Sequence, residues 1–508
     1  MGGWHSHGAM AIACSGTPVA AVEAGPAVGM RHAGLNAPNA LGLAMESALR
    51  AAGAAVADLT RVVLVSDTVT VCGTEDTRTP GPGALQLLGL DAATLCHATA
   101  DEGVLQLARG AGGTDAAIAY AGEHDAWLSP TGAGTRVDAI VGYRDVCEAS
   151  ALLGSALGCR GSAWLALSRL ATGAPHDPQW RGLMRLLLRV DDHLRVRVDS
   201  RGLGDVLRQA AESVPVPLHH ADTPHVAAQE LRAALAAGWL EGVGDALRQV
   251  SGDGHFGGAV GTLRPVAGPQ PRLPWPDARG AVLGEGASVP GAMLGETFDE
   301  SAIKQALESA RLDYLYEPSW PRLVDRVSSL LEAGKLVAWF QGRGEFGDIG
   351  QGNRAILADP SNRYCRDNVN QYLRRRPVTD TLPVMVHQSR ARALMGQDSP
   401  ADGYPVRTAI VPAHAAAFQG ATDSRGEIDL ICCDEQSAPA CSDVLTAHAG
   451  RTGIPGLVVL PLEAPGRPVA VTPLDALAVM FTTPVDALVI GRFLLMKDYW
   501  LLRSGTAK

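Results

Sequence analysis

The chain has 508 residues, of which 46% are hydrophobic and 19% are charged, and its formal net charge is −10. This length predicts two or three domains with substantial cores, and the acidic balance argues against a nucleic-acid-binding surface. Lysine occurs at only four positions, the first of which is Lys304. A G-x-x-x-x-G-K-[ST] phosphate loop is therefore impossible before Lys304, and none follows it.

The cysteines and the N-terminus indicate the compartment. Nine cysteines are scattered without a C-x-x-C pair, which is typical of reduced thiols rather than of a disulfide framework. No basic-then-apolar leader opens the sequence, and no apolar run approaches the roughly 18 residues of a membrane span. We therefore expect a cytoplasmic protein without a membrane partner.

Short apolar runs alternate with helical patterns along the first half of the chain. A turn signal at Gly16-Thr17-Pro18 separates two apolar runs, which predicts a pair of strands. This alternation of strands and helices predicts an α/β architecture. The predicted elements are strands within 9–22 and at 62–66 and 116–120, and helices at 40–52 and 226–248.

The predicted domain boundary lies where the composition changes. Glycine and proline crowd residues 252–295, and this stretch includes a G-x-G-x-x-G match that is equally well explained as loop punctuation. An amphipathic helix is predicted next, over residues 318–333. We therefore predict two α/β domains, residues 1–300 and residues 318–508.

A glycine-rich loop follows the apolar strand predicted at 336–340. Gly342, Gly344 and Gly347 satisfy G-x-G-x-x-G directly after that strand, as in dinucleotide-binding proteins. No apolar helix follows the loop, however, and a second glycine-rich stretch takes its place. A nucleotide-dependent dehydrogenase is therefore retained only as an alternative from another functional class.

The longer string at residues 342–360 carries a more specific pattern. It resembles a motif close to GRxEFGPRALGNRSILADP, which is found in the O-carbamoyltransferases of antibiotic and nodulation-factor biosynthesis. The thirteen matching positions are Gly342, Arg343, Glu345, Phe346, Gly347, Gly352, Asn353, Arg354, Ile356, Leu357, Ala358, Asp359 and Pro360.

The resemblance implies a fold and an activity. Members of this family combine an N-terminal domain of the actin-like ATPase type with a C-terminal YrdC-like α/β domain. The second domain uses ATP and carbamoyl phosphate to form a carbamoyl-adenylate. The carbamoyl group then passes to a hydroxyl or amine of a small-molecule metabolite.

The same resemblance implies a set of residues for the ATP and carbamoyl phosphate site. Glycine turns present backbone N–H groups to anions, and arginine side chains are fixed-charge forks that suit phosphate. We expect an anion site, at least as a remnant, built from Gly342, Arg343, Gly347, Gly352, Asn353 and Arg354.

The family's metal signature is altered in this chain. The family has H-H-x-x-H-A, whose histidines at i and i+4 share one helix face. Here Cys96 and Ala100 take the places of the paired histidines. A shift of one residue offers His97 and Asp101 at i and i+4 as a metal pair, and the alternative is a half-buried histidine beside a solvated carboxylate. Iron is therefore doubtful.

Another cluster suggests a metal on composition alone. Cys432, Cys433, Cys441 and His448 are potential zinc ligands, but their spacing differs from that of structural zinc sites. Cys432 is also predicted to lie on a buried strand. An ordinary core position is the alternative interpretation for these cysteines.

Several polar positions of the family's second domain are replaced. Asp348 and Ile349 replace a Pro-Arg pair, and residues 459–463 read Val-Leu-Pro-Leu-Glu instead of Asn-Thr-Ser-Phe-Asn. Each lost charged contact to a phosphate weakens binding by roughly 1.5–3 kcal/mol. Two hypotheses follow from the resemblance: a divergent carbamoyltransferase, or a non-catalytic homologue that supports an intact carbamoyltransferase.

Overall fold

The computed structural model describes residues 9–59, 144–251 and 293–497 apart from short gaps, together with separate strands between residues 62 and 142. One of the short gaps covers residues 347–351. All statements below concern the described residues.

The chain forms two compact units, which are described separately. The first consists of residues 1–18, 34–37 and 56–288, and the second of residues 19–33, 38–55 and 289–508. The second unit thus includes two segments from near the N-terminus, which the sequence had assigned to the first domain. The predicted limits of 1–300 and 318–508 stay a prediction.

Short strands and six α-helices are the main described elements up to residue 251. In chain order they are β1 (Ala9–Cys14), β2 (Thr17–Glu23), α1 (Ala24–Val28), α2 (Ala40–Ala52), β3 (Val62–Ser66), β4 (Thr68–Val71), β5 (Thr74–Thr77), β6 (Leu95–Thr99), β7 (Ala117–Ala121), β8 (Ala126–Pro130), β9 (Val141–Gly142), α3 (Arg144–Ala156), α4 (Pro178–Leu186), β10 (Leu188–Val190), β11 (Val196–Val198), α5 (Ser200–Glu212) and α6 (Val226–Ser251).

From residue 293 onwards, strands and helices alternate more regularly. They are α7 (Glu300–Ser309), β12 (Leu315–Tyr316), α8 (Trp320–Glu332), β13 (Val337–Phe340), β14 (Arg354–Ala358), α9 (Cys365–Asn368), a π-helix (Val369–Arg374), β15 (Pro383–His387), α10 (Gln388–Met395), β16 (Val406–Ala409), β17 (Glu427–Cys433), α11 (Pro439–Thr452), β18 (Gly456–Pro461), α12 (Pro473–Thr482), β19 (Ala487–Ile490) and β20 (Phe493–Met496).

The second unit is built on one nine-stranded mixed sheet. Its strand order is β12-β20-β19-β13-β14-β18-β15-β17-β16. The pairs β13/β19 and β15/β17 are parallel, while β14 and β18 run antiparallel to their neighbours. The predicted α/β class is confirmed at this level.

Helices cover both faces of this sheet. Ala338 and Phe340 of β13 face a core shared with α7, the π-helix, α10 and α12. Val337 and Trp339 face the opposite core, which α8 and α11 complete. A strand that is buried on both faces needs a continuous apolar run, which explains the sequence Val-Ala-Trp-Phe.

The first unit has a helical core. Side chains from α3, α4, α5 and α6 pack together, and fully buried Trp239 of α6 lies among them. The Trp239 Nε1–H donates to Ser150 Oγ at 2.9 Å, which satisfies its polar edge. Short sheets formed by β3/β6, β4/β5 and β7/β8/β9 belong to the same unit.

The structure confirms several predicted elements. The predicted helix at 40–52 and strand at 62–66 have the expected bounds, and the helix predicted at 318–333 spans 320–332. The dinucleotide alternative fails, because the loop after β13 leads into antiparallel β14 instead of a helix. Among the described helices, none combines the length and apolarity that a bilayer crossing requires.

Candidate functional site

The motif at residues 342–360 covers most of the connection between β13 and β14 and all of β14, at the middle of the nine-stranded sheet. The two strands pair with Phe340 opposite Arg354. Gly342 and Gly352 have φ angles of 54° and 101°, which are left-handed values that glycine adopts without strain. Five of the six residues predicted for the anion site therefore meet here, whereas the sixth, Gly347, lies outside the described residues.

Arg354 is almost completely buried, with 1% of its surface exposed. Its guanidinium donates to the backbone carbonyls of Gln341, Gly342 (3.0 Å), Asn353 (3.2 Å) and Glu296 (3.2 Å). Burial lowers its pKa to about 10, although the nearby Glu345 carboxylate opposes the shift. Arg354 Nε has no hydrogen-bond partner in the described part of the chain.

Arg343 makes a similar set of contacts in the second unit. Its Nε donates to Gly295 O at 3.1 Å. Its Nη2 donates to Val19 O (2.9 Å), Leu294 O (3.0 Å) and Ala51 O (3.3 Å). Burial lowers the pKa of Arg343. The side chain therefore joins the motif to the N-terminal segments of its own unit.

The remaining polar motif residues bond to the same backbone. Glu345 Oε1 accepts from the backbone N–H groups of Asn353 (2.6 Å) and Arg354 (3.2 Å). Asn353 Nδ2 donates to Arg343 O at 3.0 Å and to Met293 Sδ at 3.2 Å. The motif thus holds the ends of its own loop together.

These contacts define what the arrangement can do chemically. The guanidinium group of Arg354 is buried and that of Arg343 is partly buried, and both are already bonded to carbonyl oxygens. A phosphate would have to displace some of those carbonyls, each of which would then lack its donor. The prediction that these residues bind ATP or carbamoyl phosphate stays a prediction.

A buried Asp–His pair lies at the end of β14. Asp359 Oδ2 is 3.4 Å from Nε2 of His448, a fully buried residue of α11. Asp359 Oδ1 accepts from Ser361 N at 2.7 Å. Burial alone would raise the pKa of Asp359, but the nearby His448 imidazole and the hydrogen bond from Ser361 outweigh burial and lower it. The sequence analysis missed this pair because no local spacing joins the two residues.

The candidate zinc ligands lie on opposite faces of the sheet. Cys432 packs in the core on one face of β17, whereas Cys433 packs with Cys441 in the core on the other face. His448 faces Asp359 instead. Among the described residues, no group of three or more His, Cys, Asp or Glu side chains is arranged to hold a metal ion.

The second metal candidate lies in the first unit. His97 belongs to strand β6, so the helix-face argument for a pair at i and i+4 is wrong at this residue. Asp101 lies outside the described residues. The proposed pairing of His97 with Asp101 stays a prediction.

A second polar network surrounds the π-helix. Asn370 Nδ2 donates to Asp380 O at 2.6 Å, and Arg374 Nη1 donates to Asn370 Oδ1 at 3.0 Å. Thr381 Oγ1 donates to the buried carboxylate of Asp429 at 3.0 Å. Asn370 therefore connects the π-helix to the backbone of Asp380, shortly before β15.

Comparison with known proteins matches the region that contains the sheet. Residues 328–497 match a family model described as Carbamoyltransferase C-terminus. The chain is 26% identical over 178 residues to nodulation protein NolNO of Sinorhizobium fredii, and 28% identical over 177 residues to nodulation protein NolO of Bradyrhizobium diazoefficiens. Each match covers 34% of this chain, and they cover 26% and 32% of the two relatives.

A shorter match involves an O-carbamoyltransferase. The chain is 38% identical over 60 residues to 3'-hydroxymethylcephem-O-carbamoyltransferase of Amycolatopsis lactamdurans, which is 12% of either chain. The matched regions span about a third or less of the length of these three relatives.

Proposed function

We propose that this chain takes part in carbamoyl transfer in specialised metabolism, because residues 328–497 match the family model described as Carbamoyltransferase C-terminus. The observation that carries the proposal is the match itself, which includes every strand from β13 to β20. The resemblance predicted from the motif at 342–360 is thereby confirmed.

The proposed reaction follows the family's chemistry. Carbamoyl phosphate would first be hydrolysed to carbamate and inorganic phosphate. The carbamate oxygen would attack the α-phosphate of ATP, which forms a carbamoyl-adenylate and releases pyrophosphate. A hydroxyl or amine of the acceptor would then attack the carbamoyl carbon and displace AMP. The charged intermediate needs a dry site with fixed donors. Gly342, Arg343, Gly352, Asn353 and Arg354 are the described residues that we propose for holding the phosphates.

The finer fold assignment is part of the same proposal. We propose a YrdC-like fold for residues 318–508 and an actin-like ATPase-type fold for residues 1–300. The mixed sheet between two helical layers supports the first assignment. The family resemblance is the support for the second.

A specific observation favours a second candidate function, that of a non-catalytic homologue supporting an intact carbamoyltransferase. Arg343 and Arg354 both donate hydrogen bonds from their guanidinium groups to backbone carbonyls. Such a domain keeps the arginine hydrogen bonds that stabilise the fold, while other polar positions of the family's second domain are replaced. It would retain the shape of a carbamoyltransferase domain without the full set of phosphate-binding side chains. Such a domain suits binding to a related enzyme.

One assay separates the two candidates. The purified chain is incubated with ATP and carbamoyl phosphate, each alone and both together, and released pyrophosphate is measured. Release that requires both substrates identifies an active enzyme. No release, together with co-purification of an intact carbamoyltransferase, identifies the supporting role. No release and no such partner would contradict the proposed function.

A further inference from the structure

A histidine, a threonine and a glutamate of the second unit meet at one edge of the sheet. His387 ends strand β15, Thr446 belongs to α11, and Glu435 follows β17. His387 Nε2 lies 3.1 Å from Thr446 Oγ1, and His387 Nδ1 lies 3.2 Å from Glu435 Oε1. A carboxylate, an imidazole and a hydroxyl therefore follow one another in the order that activates a hydroxyl nucleophile.

This cluster lies at the edge of the sheet opposite the motif loop, which follows the carboxyl end of β13. The three pairings β13/β14, β14/β18 and β18/β15 are all antiparallel. Strand β15 therefore runs against β13, and its carboxyl end lies at the other edge. The cluster is separate from the arginines that we propose for phosphate binding, and its chemistry does not depend on the proposed carbamoyl transfer.

The surroundings hold the imidazole in place and leave the hydroxyl accessible. The His387 side chain is 15% exposed, and its buried Nδ1 has no well-aligned hydrogen bond in the described part of the chain. An unpaired buried N–H group costs free energy, which favours a rotation of the exposed Glu435 carboxylate into line with Nδ1. With the hydrogen on Nδ1, Nε2 can accept the proton of Thr446, a residue on the exposed surface of α11.

Helix α10 offers backbone donors for a developing negative charge. It begins at Gln388, and the side chain of its N-cap residue, His387, does not cap it. The first N–H groups of an α-helix have no acceptor inside the helix, and the helix dipole favours negative charge at this end. These groups follow the imidazole directly in the chain, so they are the candidate donors for an oxyanion that forms when Thr446 attacks a carbonyl group.

We propose that His387, Thr446 and Glu435 form a nucleophilic site that hydrolyses small acyl esters. Thr446 Oγ1 attacks the ester carbonyl carbon while His387 Nε2 takes its proton, and Nε2 then returns this proton to the oxygen of the leaving alcohol. Water, deprotonated in the same way, cleaves the acyl–threonine ester, releases the carboxylic acid and restores the hydroxyl. The exposed position of Thr446 favours small esters, which need little binding surface.

Hydrolysis of p-nitrophenyl acetate by the full-length chain tests the proposal. We expect turnover together with an acetyl group on Thr446, detected by mass spectrometry after acid quenching. Thr446→Val removes the hydroxyl and should lose both signals, whereas Thr446→Ser should retain them. Because a general base contributes at least about a hundredfold, His387→Gln should lower kcat/KM by about that factor or more. Glu435→Gln should lower kcat and leave KM unchanged, since this carboxylate orients the imidazole without touching the ester.

Thr482→Val is the matched control. Thr482 is also an exposed threonine on a helix of the second unit, but its Oγ1 donates to the Ala478 carbonyl at 2.6 Å instead of bonding to a histidine. This variant should keep the wild-type rate and the acetylation of Thr446. Circular dichroism verifies that each variant is folded. Absence of turnover by the wild type, turnover that Thr446→Val leaves unchanged, or acetylation only at other residues would overturn the proposal.

Discussion

The guanidinium carbon of Arg354 lies 3.6 Å from the centre of the Phe340 ring, and the two residues face each other across the β13/β14 pairing. Stacking on an aromatic face is worth about 2 kcal/mol when the cation is desolvated. With a pKa lowered to about 10, Arg354 still carries its charge at neutral pH. The motif thus places a buried, charged side chain that bonds to the surrounding backbone at the middle of the sheet.

Replacing Arg354 should destabilise the second unit. Arg354→Ala leaves the carbonyls of Gln341 and Gly342 without their donor and opens a cavity, so we expect a loss of at least about 3 kcal/mol. Phe340→Leu keeps those hydrogen bonds and should cost about 1.5 kcal/mol. Urea unfolding measures both. A loss of less than about 1 kcal/mol in the free energy of unfolding for Arg354→Ala would refute the stabilising role of this side chain.

Removing the Arg343 side chain should loosen the N-terminal segments of its unit. The carbonyls of Val19 and Ala51 lose a charged donor, so amide hydrogen exchange in residues 19–33 and 38–55 should accelerate about tenfold in Arg343→Ala. Arg50→Ala, which breaks a half-exposed ion pair with Glu296, should have a smaller effect. Unchanged exchange combined with lost ATP binding in calorimetry would instead favour a ligand role for Arg343.

Gly352 should tolerate no side chain. Its φ of 101° is strained for other residues, and a Cβ would lie 2.7 Å from Cys441 Cβ. Strain and overpacking together predict a loss of about 2–4 kcal/mol for Gly352→Ala. Gly466→Ala is the matched control, because its φ is also positive but nothing lies within 4 Å. Equal losses for the two variants would show that the contact with Cys441 is unimportant.

The sequence predicted the helices at 40–52, 226–248 and 318–333 and the strands at 62–66, 116–120 and 336–340, because periodicity and turn residues are local signals. It did not reveal that Arg343 bonds to the backbone of Val19 and Ala51, since every residue has a main-chain carbonyl and residue type does not show which one is the acceptor. The Asp359–His448 pair was missed for a similar reason: the strand end and α11 meet only through the tertiary packing. Residue types were therefore enough to locate the motif, but the contacts of its side chains are with backbone groups that are distant in sequence and could not be predicted.

Iron content is expected to be low. Cys96 and Ala100 replace the histidines of the family signature. Elemental analysis of protein purified without chelator should give well below one iron per chain. If about one iron is found, His97→Ala and Asp101→Ala should each remove it, and retention in both would exclude this pair as ligands.

Acid should weaken the contact between Asp359 and His448. The folded-state pKa of Asp359 is lowered, so its stabilising contribution is present above the unfolded value of about 3.9 and is lost as the pH falls through the folded value. Asp359→Asn should therefore be less stable than wild type at pH 7, and the difference should shrink below about pH 4. Cys365, the other titratable neighbour, stays neutral because burial raises its pKa to about 12. Urea unfolding between pH 3 and 7, with His448→Gln as a second variant, measures the effect, and a pH-independent difference for Asp359→Asn would disprove it.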